Sequence, residues 1–168
     1  MTVQFRIILL TLFILAGIRS WAQGHSPSPR STNAFPFLVL NGTCTEDSNV
    51  AEGPLDTDLS QRKSRFFCDE AVIIYLDNAK SHVIIDFAEK EAHHSPVLGF
   101  AGYLNKDSVM QVENVYIYSK DATEASDGVC KLFYKNQRLD SIGCASNVDE
   151  MGRRTIVEVI FKGSTSTP

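Results

Sequence analysis

Short apolar runs recur from Phe35 to Lys162, separated by polar loops rich in Gly, Asn, Asp and Ser. That spacing predicts β-strands joined by hairpins rather than long helices. The clearest pair is Ala71–Leu76 (AVIIYL) and His82–Phe87 (HVIIDF), joined through Asp77-Asn78-Ala79-Lys80-Ser81. Ala71–Leu76 is apolar at odd and even positions, as in a central strand covered on both faces. In His82–Phe87 the residues Val83, Ile85 and Phe87 share one face, while His82, Ile84 and Asp86 share the other.

The remaining runs extend the pattern. Phe35–Leu40 predicts a first strand, with Pro36 marking an edge or a strand start. Val97–Leu104 carries Gly99 and Gly102 inside an apolar run, which predicts a bulge or a sharp bend. Val109–Tyr118 alternates so that Met110, Val112, Tyr116 and Tyr118 fall on one side. The last strand, Arg154–Lys162, turns Thr155, Val157, Val159 and Phe161 one way. Between the first strand and the central hairpin, Leu55 and Leu59 lie one helical turn apart after Pro54, so a short helix is expected near 56–64. The fold expected is mainly β, a single small antiparallel barrel or sandwich of about seven or eight strands, with the glycines favouring a barrel.

The cysteines sharpen this picture. An even count of four in a chain with an export signal predicts disulfides, and four cysteines allow three pairings. If Lys131–Lys135 and Leu139–Gly143 form a hairpin around Asn136-Gln137-Arg138, Cys130 falls directly opposite Cys144 and Leu132 opposite Ile142. The expected bridges are therefore Cys130–Cys144 and, by remainder, Cys44–Cys68. The spacing offers no C-x-x-C pair for a zinc site.

The export signal itself is residues 1–22: a basic start through Arg6, an apolar core Ile7–Ile18, and Ser20-Trp21-Ala22 at the cleavage position. The apolar core is shorter than the ~20 residues of a membrane span. Residues 23–33 read as a flexible polar leader, 34–163 as the β-domain and 164–168 as a disordered tail. The expected location is secreted or periplasmic. Losing Arg6 and Arg19 with the signal takes the formal charge from −4 to −6. An acidic chain without a basic run argues against nucleic acid and anionic membrane as partners.

Candidate chemistry is sparse. Asn41-Gly42-Thr43 matches an N-glycosylation acceptor, with Asn41 as the site in a eukaryotic host and a plain turn otherwise. The acidic stretch from Glu46 to Asp58 lacks the glycine and glutamate spacing of a calcium loop. His93-His94 beside Glu89 and Glu91 lacks a zinc-binding spacing, and no cofactor fingerprint is present. Asp86, Glu113 and Glu158 are carboxylates inside strands, most simply the solvent-facing members. Tyr103, Tyr116 and Tyr118 are the candidate binding residues, since tyrosine joins a rigid apolar body to a polar tip.

The reading that results is an exported, non-enzymatic binding or structural protein of the envelope or extracellular space, engaging an unidentified protein or surface ligand without a stable membrane anchor. Two alternatives stand beside it. One is a small secreted hydrolase using Asp86, Glu113 or the His93-His94 loop. The other is a protease inhibitor presenting the hairpin tip Lys135–Arg138.

Overall fold

The computed structural model describes residues 35–90, 97–118 and 121–164. The expected signal, the leader, Glu91, His93 and His94 lie outside the described residues, as do residues 165–168 of the expected tail. Eleven strands make up the domain: β1 (Phe37–Cys44), β2 (Asn49–Pro54), β3 (Lys63–Arg65), β4 (Glu70–Tyr75), β5 (His82–Ala88), β6 (Leu98–Leu104), β7 (Val109–Ile117), β8 (Thr123–Glu124), β9 (Asp127–Lys135), β10 (Arg138–Glu150) and β11 (Arg153–Gly163). Eight of them close an antiparallel barrel in the order β1-β4-β5-β6-β7-β9-β10-β11, with β11 returning to β1. The first half of β11 instead pairs with β2, which carries β3 at its far edge, and β8 pairs with β7 off the main path.

Two seams hold the closure. β11 meets β1 through Gly42, Thr43 and Cys44, and β7 meets β9 through Val109, Met110 and Gln111. The other contacts between neighbouring barrel strands are longer, up to the run of pairs joining β10 and β11 from Ser141–Lys162 to Glu150–Arg153. The barrel is thus two sheets joined by short seams, which is why strand patterning alone leaves barrel and sandwich close together.

Alternation drives the inward faces. Val83, Ile85 and Phe87 of β5 and Val157, Val159 and Phe161 of β11 are fully buried, as are Ile73, Phe100, Met110 and Val115. Phe87 packs edge-on to Phe100 and tilted against Phe161, with ring centroids 6.0 and 6.1 Å apart. The lumen is therefore a packed core, as small barrels with bulky inward residues usually are.

β7 departs from the expected facing. Its register with β6 shifts between Ala101 and Gly102, leaving Glu113 as an extra residue. A bulge of one residue exchanges the faces beyond it. Met110 and Val112 point inward as expected, but beyond the bulge Val115 takes the inward place and Tyr116 is turned outward. Gly102 is the residue that permits this: a Cβ there would lie 1.9 Å from the Gln111 carbonyl oxygen.

No helix forms at 56–64. Residues 55–62 are a series of turns, closed by Thr57 N–H donating to the Pro54 carbonyl and Arg62 N–H to the Leu59 carbonyl, and the chain enters β3 at Lys63. The Asp58 carboxylate takes the Ser60 N–H and hydroxyl, a local bond that competes with helix propagation. Leu59 is buried instead over Gly53, where a Cβ would lie 2.6 Å from it.

Both disulfides form as expected, Cys44–Cys68 and Cys130–Cys144. The β9–β10 register places Cys130 opposite Cys144 and Leu132 opposite Ile142. Only the tip differs. Asn136 and Gln137, both at positive φ, make a two-residue reversal, and the register shifts by one residue between Leu139 and Ser141.

Candidate functional site

The sequence-named residues do not converge. Tyr103 is half exposed and stacks on His82 with centroids 4.8 Å apart. Tyr116 lies on the outer face two strands from Asp86, with Gly99 between them. Tyr118 stands beyond the end of β7 at positive φ, on the far side of Tyr116 from Tyr103. Tyr103 and Tyr116 therefore lie apart along the outer face of β6 and β7, with Tyr118 past the end of β7, rather than forming one cluster.

Asp86 faces outward in a row with Val72, Gly99 and Tyr116. A Cβ on Gly99 would lie 2.3 Å from its carboxylate oxygen, so the glycine makes room for the carboxylate on the barrel wall. Burial there pushes the Asp86 carboxyl above its ordinary range. Glu113 is exposed on the bulge of β7. Strand spacing and rise put it on the order of 14 Å from Asp86, outside hydrogen-bond reach. Among the described residues no group of three or more His, Cys, Asp or Glu is placed to hold a metal ion.

The acidic stretch after β1 is organised as a structural corner. Arg65 donates to the carbonyls of Cys44, Thr45 and Ser48 and stacks over Phe67. Ser48, fully buried, exchanges hydrogen bonds with Ile160. Glu158 accepts from Asn49 and pairs with Lys63 at 3.8 Å.

An open cleft lies at the other end of β1. A cleft of about 430 Å³ is lined by Val39, Leu40 and Asn41 on one wall and by Lys135, Asn136, Arg138, Leu139 and Asp140 of the hairpin on the other, with Gly163 and Ser164 at its floor. It exists because β11 stops at Gly163 while β1 and the β9–β10 hairpin run on. Ser164 then turns its N–H and hydroxyl onto the Asn41 carbonyl. Asn41, the candidate glycan site, is exposed at this cleft, and its side-chain oxygen accepts from Lys90.

Strand parity decides what β1 offers to the cleft. Tyr75 N–H donates to Pro36 and Gly42 N–H to Asp69, so the even-numbered residues of β1 hydrogen-bond to β4. In an antiparallel pair the alternate residues point their N–H and C=O away. Val39 therefore directs both backbone groups into the cleft and Phe37 directs its own along the same edge just beyond it, and among the described residues nothing receives them. Their side chains are exposed too, Phe37 at 65% and Val39 at 42%, next to Phe35 and Leu38.

Sequence reasoning missed this site. Pro36 signalled an edge, but the edge left open among the described residues depends on where β11 ends against β1, a contact between distant parts of the sequence. The hairpin tip Lys135–Arg138 is a tight reversal rather than an extended loop, so it forms a wall of the cleft. Comparison with protein-family models, with curated proteins and with solved structures finds no match, and the cleft must be interpreted on its own chemistry.

Proposed function

We propose that this protein is a non-enzymatic binding protein of an exported, oxidising compartment, and that it binds through its outer wall rather than a lumen. The observation that carries the reading is the filled barrel interior. Phe87, Phe100 and Phe161 pack against one another in the interior with no exposed surface, so among the described residues these rings fill the space that a small ligand would need there. Two disulfides suit a location where thiols stay oxidised. Asp86 and Glu113 stand too far apart on the outer face for paired acid and base work, which favours binding over hydrolysis.

The test is turnover. Purified, oxidised protein assayed against broad esterase, glycosidase, phosphatase and peptidase substrates is expected to release no product above the rate of a heat-unfolded sample. Turnover that disappears in Asp86→Asn or Glu113→Gln would overturn the reading and favour the hydrolase. Native mass spectrometry of protein taken from its own source supplies a second check. A small organic molecule retained at one equivalent would contradict a filled interior.

A further inference from the structure

We infer that the cleft between β1 and the β9–β10 hairpin receives an extended peptide strand of a partner protein, one that carries an acidic side chain. The inference rests on the outer-wall binding reading and names its site and ligand class. Three observations converge on it. Phe37 and Val39 each present an N–H and C=O along one line that nothing among the described residues receives, the pattern that another extended backbone satisfies and that few other ligands match. The opposite wall, Arg138 to Asp140, is a strand that has outrun β11, so an inserted strand lies between two strands and continues the barrel wall. The exposed side chains of Phe37 and Val39 give the outer face of the insert an apolar neighbour.

Charge selects the partner's composition. Lys135 and Arg138 line the cleft against one carboxylate, Asp140, while at its rim Lys90, on Asn41, is offset by Glu70, the register partner of Asn41 on β4. The chain as a whole is acidic, so this local excess of cations stands out from its surroundings. A Glu or Asp on the inserted strand gains a partner there, while a Lys is repelled. The span from Phe37 to Asn41 is about 13 Å, room for four or five residues of strand. A glycan on Asn41 would stand at the same opening, so recognition is expected in the unglycosylated form.

The parity argument supplies a selective variant. Val39 N–H points into the cleft and takes no part in pairing with β4, so Val39→Pro removes a donor from the open edge alone. The experiment uses the full mature chain, ¹⁵N-labelled, titrated with the peptide TVEVTV, its counterpart TVKVTV, and TVEVTV methylated on alternate amide nitrogens. The expected result is chemical-shift change centred on Phe37, Val39 and Leu139 with TVEVTV. Affinity should fall at least ten-fold with the lysine peptide, the methylated peptide, Val39→Pro and Arg138→Glu, with the circular dichroism of both variants unchanged. If Val39→Pro fails to fold, Arg138→Glu and the methylated peptide still decide the matter.

Equal binding of the acidic and basic peptides overturns the charge assignment. Shifts confined to other strands, or an absence of binding at millimolar peptide, overturn the site. Protection of Phe37 and Val39 amides in the free monomer means that this chain covers its own edge, and protection that grows with concentration means a second copy does; either overturns the partner strand. Each of these failures leaves the non-enzymatic reading standing, because that reading is judged by turnover.

Discussion

Closure of the barrel depends on Gly42, and the same substitution at two glycines separates closure from general strand effects. At Gly42 a Cβ would lie 2.1 Å from the Lys162 carbonyl oxygen, 2.5 Å from the Phe161 ring and 2.9 Å from the Gly163 Cα. Two of these three atoms are backbone, so relief requires β1 and β11 to move apart by about 1 Å, and overpacking of this kind costs about 1–3 kcal/mol. The seam they form has only Gly42, Thr43 and Cys44 facing Gly163, Lys162 and Phe161. Loss of one or two of its hydrogen bonds adds about 1 kcal/mol each. Gly42→Ala is therefore expected to destabilise by about 2–5 kcal/mol. At Gly143 the nearest atom to an added Cβ is a Phe133 ring carbon at 3.7 Å, an ordinary contact, and its φ is not positive. Gly143→Ala should be neutral or stabilising by about 0.5 kcal/mol, because it restricts the unfolded chain. Equilibrium urea unfolding of both variants, disulfides intact, measures the difference. A Gly42→Ala protein within 0.5 kcal/mol of the parent would refute the closed seam.

Further expectations follow from the interior and the wall. Replacing both Cys130 and Cys144 by Ala removes a bridge of sequence separation 14 and should lower stability by about 3 kcal/mol, read as a fall in Tm of roughly 10 °C. Phe161→Ala, at the meeting point of Gly42 and Phe87, is expected to cost about 3–5 kcal/mol in urea. The Asp86 carboxyl, pushed up by burial, binds its proton more tightly in the folded state than in the unfolded one. The parent is then penalised as pH rises through the unfolded carboxylate range near ~4 and up to the folded pKa. Asp86→Asn should match the parent at low pH and exceed its stability at pH 7, with the gap opening across that window; a constant gap at every pH would contradict it.

Much of the fold was legible because it is local. The alternation of Val83, Ile85 and Phe87 gave the inward face of β5 directly, and the Cys130–Cys144 register followed from counting residues about the hairpin tip. The errors arose where one residue does nonlocal work. Asn41-Gly42-Thr43 reads as a turn, yet it continues β1, because Gly42 is small for the sake of β11 rather than for a reversal. Tyr116 reads as a companion of Met110 until Glu113 is bulged out against β6. Leu55 and Leu59 have helical spacing, but Asp58 diverts the backbone and Gly53 offers Leu59 a seat on the sheet. The candidate site was invisible for the same reason. No pattern along Phe37–Asn41 announces that β11 will stop short of it.

The central claim is a closed, filled barrel in which the edge of β1 at Phe37 and Val39 is open among the described residues, and amide hydrogen exchange of the free protein addresses it residue by residue. Leu38 and Leu40 pair with Ile73 and Ala71 of β4, whereas Phe37 and Val39 turn their amides away from β4, along the open edge. Leu38 and Leu40 should therefore exchange slowly, together with Gly42 at the seam, while Phe37 and Val39 exchange close to the rate of an unstructured peptide. Equal protection of all four residues from Phe37 to Leu40 would show the edge already covered and would contradict the account.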